Sequence, residues 1–325
     1  NVLSGNRRNG LHVTDSNAVL IQANFFGAGA NNASMVPNGG HGILVDGTSA
    51  GVQVGGVIPL GNVSAGNTLD GIKVSGTASG FTTFNTFGGL YAFQGAAPNG
   101  GNGITIDSTG GNNLIRTNVF SGNMHHGIEI SGNASGVTVD PNVVGLNTEG
   151  TGLLANGPGA NGAGNGGSGV LLADTAHGNF IGGYNNSVIP QNTFSANALY
   201  GVEIQSGAYG NYVFNSVIGL ATTKVTGTGF GNGSGGMLIA GTGNYVGPFT
   251  APSTTTGTAT VISGNQGPGI TLSGSNNTIT ANYFGYANRT IAGPFEPGLA
   301  PNSGMSVLVV GSPTGNSVSG NFGPP

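Results

Sequence analysis

The chain has no cysteine, no tryptophan and very little charge: only 5% of its 325 residues are Asp, Glu, Lys or Arg. The absence of cysteine excludes disulfide bonds and thiolate metal sites. Six basic residues stand against ten acidic ones, and the net charge of −4 gives no basic footprint for nucleic acid or an anionic membrane. No apolar run approaches the roughly 20 residues of a membrane-spanning helix. We therefore expect neither a nucleic-acid partner nor membrane insertion.

Glycine is what the sequence has in excess, with 67 residues in 325 against a usual share of about 7%. Each glycine costs a helix about 1 kcal/mol relative to alanine, whereas tight turns with positive φ favour it. Disordered chains combine low hydrophobicity with high charge, but here 37% of the residues are hydrophobic. The composition therefore predicts a folded chain that is poor in helix and rich in turns.

A phrase of glycine followed by an apolar, any and an apolar residue recurs along the chain, and ten of its occurrences are spaced at intervals of 24 to 42 residues. Such a repeat with strand-like alternation is typical of a β-solenoid, in which each coil covers the next. Because strand side chains alternate between two faces, the apolar pair of each phrase is predicted to point inward. The pairs are Leu11/Val13, Ile43/Val45, Ile72/Val74, Ile104/Ile106, Ile128/Ile130, Val170/Leu172, Val202/Ile204, Met237/Ile239, Ile270/Leu272 and Met305/Val307.

The predicted coils alternate in kind. Odd-numbered phrases lead to a second strand that ends in an apolar residue and glycine, as in NFFG (24–27), and then to a long loop. Even-numbered phrases lead to a strand ending in SGN or a close variant, and then to a constant link, GNxxxG or ANxxxG. The asparagine before the second corner suits a ladder of amides bonded from coil to coil. The candidates for this ladder are Asn24, Asn85, Asn118, Asn142 and Asn282.

Five segments carry a resemblance to a known family: PNGGHGILV (37–45), PNGGNGITI (98–106), GLNTEGTG (145–152), NFIGG (179–183) and VISGN (261–265). They resemble the right-handed parallel β-helix repeats of the pectate-lyase-like superfamily, found in bacterial extracellular and surface proteins. With the repeat count, the resemblance implies an all-β, right-handed parallel β-helix of about ten coils in five two-coil repeats. We expect a single domain over residues 1–325, secreted to the cell surface or the extracellular space, with long loops on alternate coils.

The candidate catalytic residues are Asp107, Glu129 and Lys73. Pectin-processing β-helices, to which the resemblance leads, carry their catalytic carboxylates on the outward face of one sheet. Asp107 and Glu129 are predicted there on adjacent coils, an arrangement that suits glycoside hydrolysis by paired carboxylates. Lys73, one coil further, would bind an acidic sugar. The alternative is that these carboxylates only solvate an exposed face.

The remaining polar motifs predict no further chemistry. His41 and the pair His125–His126 occupy variable positions of turns, so we interpret them as loop residues. The calcium-binding patterns of β-helices and EF-hands do not occur. We therefore expect no metal and no cofactor.

Two classes of function follow, and the first is structural and without enzymatic activity. It is an extracellular rod that forms a filament or surface layer, or serves as an adhesin stalk. The chain begins with NVLSGN and ends in VSGNFGPP, two variants of one repeated phrase. We therefore expect subunits to stack head to tail, or this array to adjoin further repeats of a longer chain. The predicted interface residues are Val2, Leu3, Asn6, Val318, Asn321 and Phe322.

The second class is a carbohydrate-active β-helix, either a polysaccharide lyase or hydrolase or a module that binds surface glycans. Besides the residues Lys73, Asp107 and Glu129, it would use aromatic side chains of the long loops. These are Tyr91, Phe93, Phe230, Tyr286 and Phe295. Glycosylation motifs on the long loops begin at Asn32, Asn232 and Asn288.

Overall fold

The computed structural model describes residues 1–92, 95–154, 157–159, 162–182, 191–221, 229–249, 259–287, 296–297 and 300–323. They form three parallel sheets of ten strands each. Sheet A comprises β1 (Val2–Leu3), β4 (Phe25–Phe26), β7 (Val63–Ser64), β10 (Phe87–Gly88), β13 (Val119–Phe120), β16 (Val143–Val144), β19 (Asn192–Phe194), β22 (Ser216–Ile218), β25 (Val261–Ile262) and β28 (Tyr283–Phe284).

The other two sheets have the same number of strands. Sheet B comprises β2 (Leu11–Thr14), β5 (Ile43–Asp46), β8 (Ile72–Val74), β11 (Ile104–Ile106), β14 (Ile128–Ile130), β17 (Val170–Leu172), β20 (Tyr200–Ile204), β23 (Gly235–Ile239), β26 (Ile270–Leu272) and β31 (Val307–Val309). Sheet C comprises β3 (Leu20–Ile21), β6 (Gln53–Gly55), β9 (Thr82–Phe84), β12 (Leu114–Arg116), β15 (Thr138–Val139), β18 (Phe180–Ile181), β21 (Tyr212–Val213), β24 (Tyr245–Val246), β27 (Thr278–Thr280) and β32 (Ser317–Ser319).

One strand from each sheet makes a coil, so the prediction of a parallel β-helix with ten coils is confirmed. A short antiparallel pair, β29 (Tyr286–Ala287) and β30 (Glu296–Pro297), stands apart from the three sheets. In the described ranges no helix is long and apolar enough to cross a membrane.

The interior is built as the glycine phrases predict in nine coils, where both members of each pair face the core. The prediction for the tenth pair is wrong. Ile270 lies opposite Val307 and Leu272 opposite Val309, so the inward residues are Val307 and Val309 rather than Met305 and Val307. Met305 belongs to the preceding turn and is 58% exposed. The last turn, 302–306, has the same length as the others, but its glycine stands at the third position instead of the fifth, so the repeated phrase begins there two residues too early.

The glycine that opens each phrase sits at a corner where coils touch. A Cβ built on Gly103 would lie 2.6 Å from the carbonyl oxygen of Gly127 on the next coil, which is closer than real Cβ atoms approach. The same holds, at 2.4 to 3.0 Å, for every corner glycine of the first nine coils. They are Gly10, Gly42, Gly71, Gly103, Gly127, Gly169, Gly201, Gly236 and Gly269. In coil ten the register puts Ser306, not Gly304, at this corner.

All ten coils turn from sheet A into sheet B through the same five-residue turn, which starts at an asparagine. The long loops end in this turn as well, so the two predicted kinds of coil differ only in what precedes it. The ten asparagines form an unbroken ladder in which each Nδ2 donates at 2.9 Å to the Oδ1 of the next coil. We call Asn6, Asn38, Asn67, Asn99, Asn123, Asn165, Asn197, Asn232, Asn265 and Asn302 the asparagine ladder.

The ladder predicted at the second corner, between sheets C and A, exists but is interrupted. Asn24 and Asn118 are members, the latter donating to Asn142 at 3.1 Å. Asn85 is not a member, because it adopts φ 46° and its amide bonds Gly56. Thr86 takes the ladder position instead, and its N–H donates to Asn118.

The long loops cover the outward face of sheet A. Apart from Thr193, its outward side chains are apolar, and loop residues pack on them in three small clusters. Phe87, for example, packs against two of these clusters, which contain Leu90 and Ala97 of the loop that follows its strand. Apolar surface is thereby removed from water on this side, whereas on the outward face of sheet B the charged side chains of Lys73, Asp107 and Glu129 remain partly exposed.

Candidate functional site

The outward face of sheet B brings the predicted catalytic residues together in register. Lys73 lies opposite Thr105, and Thr105 lies opposite Glu129 on the next strand. Glu203 follows two coils further in the same column, beyond Leu171. Asp107 directly follows β11 and is therefore a diagonal neighbour of both Lys73 and Glu129. The outward positions predicted for Lys73 and Glu129 are thus correct.

Lys73 is held by a carboxylate of the protein itself. Its Nζ lies 2.7 Å from Asp107 Oδ2, and both side chains are partly exposed. The expectation that Lys73 would bind an acidic sugar assumed an unpaired ammonium group, and the structure pairs it. A second diagonal pair repeats this arrangement two coils earlier, where His12 Nε2 lies 2.9 Å from Asp46 Oδ2.

The two glutamates are oriented by polar side chains from neighbouring turns. Asn102 Nδ2 donates to Glu129 Oε2 at 2.8 Å and to Thr105 Oγ1 at 2.9 Å. Ser168 Oγ donates to Glu203 Oε2 at 2.6 Å. Glu203 is only 8% exposed, whereas Glu129 is more open and no described residue bonds its Oε1.

These orienting residues belong to a second ladder, at the fourth position of the five-residue turn. Here each side chain accepts a hydrogen bond from the backbone N–H of the corresponding residue in the next coil. We call its six acceptors, Asn9, His41, Asp70, Asn102, His126 and Ser168, the turn-acceptor ladder. His41 and His126 therefore have a structural function that their variable positions in the sequence did not indicate.

Both histidines accept through Nδ1, His41 from Asp70 N–H at 3.3 Å and His126 from Ser168 N–H at 2.9 Å. This requires the neutral imidazole with its proton on Nε2. Burial lowers the pKa of His126 below its ordinary value of 6.5, against the opposing effect of Glu203 and Glu129. Burial likewise lowers the pKa of His41, against the effect of Asp70. The local environment thus supports the protonation state that the ladder needs.

The resulting surface is the acidic strip, which we define as Asp70, Lys73, Asp107, Glu129 and Glu203. It runs from coil three to coil seven along one face. The described residues contain no group of three or more His, Cys, Asp or Glu that could hold a metal ion. What the strip offers is a row of oriented carboxylates, suited to accepting hydrogen bonds from hydroxyl groups and to general-base chemistry.

Sequence reasoning found Asp107, Glu129 and Lys73 but missed Glu203, Asn102 and Ser168. The sequence does carry a signal for Glu203, because it occupies in GVEI (201–204) the position that Glu129 occupies in GIEI (127–130). Asn102 and Ser168 could be found only by aligning the long loops with the short links at their final five residues.

The aromatic residues proposed for ligand binding have other contacts where they can be described. Tyr91 packs beside Ala28, Val63 and Ala97 under a loop, and burial raises its pKa. Phe230 packs on a cluster over sheet A, and Tyr286 makes an edge contact with Tyr283 at 5.3 Å. Phe93 and Phe295 lie outside the described residues.

The proposed glycosylation sites differ in access. Asn232 is fully buried in the asparagine ladder, where it donates to Asn265, so no amide is available for a glycan. Asn32 is half-buried and donates to the carbonyl of Ala92 at 3.2 Å. Asn288 lies outside the described residues.

The proposed head-to-tail residues lie on the first and last coils. Val2, Val318 and Phe322 are 45 to 48% exposed. Leu3 and Asn321 are half-buried, and Asn6 is exposed. Phe322 also stacks on Tyr283 within the last coil, with ring centroids 4.8 Å apart.

Comparison with known proteins gives one family and two structural neighbours. The sequence model described as "Right handed beta helix region" matches residues 1–163, just over half of the chain. No curated protein sequence matches this chain significantly. One solved structure with a similar fold is the Azotobacter vinelandii mannuronan C-5 epimerase AlgE6 A-module, with 15% identity, 99% of this chain and 75% of that chain covered, and a TM-score of 0.46. Another is the AlgE4 A-module from the same organism, with 14% identity, 98% and 76% coverage, and a TM-score of 0.43.

Proposed function

The chain belongs to the right-handed beta helix family, and we propose that it is a carbohydrate-active member that binds a glycan along the outward face of sheet B. One observation carries the proposal, namely the concentration of charge. Only ten residues of the chain are acidic, yet Asp46, Asp70, Asp107, Glu129 and Glu203 all lie on this face or at the turn that enters it. The outward side chains of sheet C are also partly exposed, so solvation alone would not favour sheet B over sheet C.

The geometry of Glu129 supports a contact with a ligand. Asn102 fixes one of its oxygens, and the other faces solvent without a partner among the described residues. A carboxylate held in this way accepts a hydrogen bond from a sugar hydroxyl at little further cost in side-chain entropy. Asp107, directly after the adjacent strand, adds a second negative charge, although its Oδ2 is already paired with Lys73. If the bound glycan is also cleaved, Glu129 is the base that the site offers.

A glycan array with purified protein tests the proposal, followed by calorimetric titration of the best ligand and a reducing-end assay. We expect Glu129→Gln to weaken binding at least about tenfold, or about 1.4 kcal/mol, because it removes the ionic acceptor. Glu149→Gln is the matched control, since Glu149 is an exposed residue of the loop that follows β16. Absence of any bound glycan, or equal affinity of the two variants, would contradict the proposal.

We also propose, as a second candidate function, that coils of this pattern join end to end to extend the rod. The observation that favours it is the direction of the asparagine ladder. At one end no described residue donates to Asn6 Oδ1, and at the other Asn302 Nδ2 donates only to Ile262 among the described residues. A donor at one end thus matches an acceptor at the other. The partner is a second copy or further repeats of a longer chain, and an extracellular setting stays a prediction.

A further inference from the structure

The charge balance of the acidic strip bears on which glycan it accepts. Four of its five members are carboxylates, and its one cation, Lys73, is committed to Asp107 at 2.7 Å. Of the other basic residues with a described environment, Arg116 lies on sheet C beside the buried Asp140. Arg7 and Arg8 lie on the turn of coil one, two coils before the strip begins. The surface that meets a ligand is therefore net negative.

The backbone cannot compensate for the missing cations. Proteins without Arg or Lys at a site can hold a carboxylate with backbone N–H groups. Along the strip, the N–H groups of the turn are already donated to the turn-acceptor ladder, for example those of Asn102, His126 and Ser168. The amide of Asn102 is likewise used, by Glu129 and Thr105. Acceptors consequently outnumber free donors at this face.

We propose, on the basis of the glycan-binding function above, that the acidic strip selects uncharged, hydroxyl-rich glycans and rejects polyuronates. Sugar hydroxyls donate to the open oxygen of Glu129 and need no cation. A uronate places its own carboxylate beside like charges that are held in place, and such a juxtaposition disfavours binding. The selection is thus made by repulsion as well as by attraction.

Titration of the wild-type chain with matched hexasaccharides tests this selection. The probes are cellohexaose, mannohexaose and xylohexaose as neutral glycans, hexagalacturonate as the acidic one and hexaglucosamine as the cationic one. We expect a neutral hexaose to bind at least tenfold more tightly than hexagalacturonate at low salt, with little change as salt is raised. Tighter binding of hexagalacturonate, or of hexaglucosamine alone, overturns the selection but leaves glycan binding intact. If none of the five binds, glycan binding itself fails, and the selection with it.

A variant of the one ion pair tests the cause of the selection. Asp107→Asn frees Lys73 and removes one negative charge while keeping the shape of the side chain. We expect its affinity for hexagalacturonate to rise at least threefold and this gain to be lost at high salt, because exposed charges are screened. Lys73→Gln is the converse control, with no gain for hexagalacturonate. An Asp107→Asn variant that still excludes hexagalacturonate as strongly as the wild type overturns the electrostatic explanation.

Discussion

At the scale of single residues, the buried asparagines join each coil to the next through side-chain hydrogen bonds. Asn99 is fully buried and has every hydrogen-bonding group of its amide satisfied. It accepts from the N–H and the Nδ2 of Asn67, and it donates to Ser64 O and Asn123 Oδ1. Asparagine fits here because its amide both donates and accepts, as repetition along a ladder requires.

Replacing Asn99 is therefore expected to be strongly destabilising. Asn99→Ala leaves buried donors and acceptors on two coils without partners, and we expect a loss of about 3 kcal/mol in the free energy of unfolding. Asn99→Asp keeps the shape but sets acceptor against acceptor, and it should cost at least as much. Urea unfolding measures both. The exposed Asn133 provides the control, since Asn133→Ala should stay within about 0.5 kcal/mol. Equal effects at the two positions would show that the ladder is not needed.

At the scale of the element, the five-residue turn is the unit that stacks. Its first residue is always asparagine, whereas its fourth residue varies between Asn, His, Asp and Ser in the turn-acceptor ladder. The variation is tolerated because each of these side chains can accept one hydrogen bond from the next coil. The conserved requirement within the array is thus a chemical function rather than a residue type.

The histidines of this turn predict a pH-dependent stability. The pKa of His126 is below 6.5 in the folded chain, mainly through burial, so the unfolded chain binds the proton first as pH falls. The free energy of unfolding should therefore decrease below about pH 6.5 and level off once the folded-state pKa is passed. The direction is the same for His41.

Asparagine is the matched replacement, because Asn9 and Asn102 occupy the same turn position. We expect the double variant His41→Asn and His126→Asn to lose part of the decrease in stability between about pH 7.5 and about pH 5, with the ladder intact at neutral pH. Denaturant unfolding followed across this range gives the slope. An unchanged slope would mean that neither histidine couples folding to protonation.

At the scale of the whole molecule, the three faces of the rod differ in what covers them. Loops bury the outward face of sheet A, whereas sheet B keeps the acidic strip partly open.

The last coil differs from the others at its corner, since Ser306 stands where the nine other coils have glycine. A side chain at those nine corners would meet the carbonyl oxygen of the following coil. Ser306 therefore works against docking of another coil in the same register.

This position allows a direct test of end-to-end association. If coil one of a second copy docks on coil ten, Ser306→Gly should lower the dissociation constant at least about tenfold, or about 1.4 kcal/mol, by removing the obstructing Cβ. Ser306→Ala retains the Cβ and should behave like the wild type. Sedimentation velocity over a range of protein concentrations measures the association. Identical behaviour of the glycine and alanine variants would contradict docking at this surface.

The sequence by itself determined the number of coils, the parallel sheets and the inward residues of nine coils. These features follow from alternation within a strand and from a glycine at each corner, and both are properties of adjacent residues. The predicted outward positions of Lys73 and Glu129 followed from the same alternation. They were correct for the same reason.

Only the tertiary structure decided what these residues touch. Three features depend on which residues of successive coils meet. They are the inward position of Val307 and Val309, the presence of Thr86 rather than Asn85 in the ladder at the second corner, and the pairing of Lys73 with Asp107. Those residues are 24 or more positions apart in the chain, and loops of unequal length separate them. No local pattern fixes such a register. It is set by the free energy of stacking one coil on the next, with its hydrogen bonds satisfied and its apolar side chains buried.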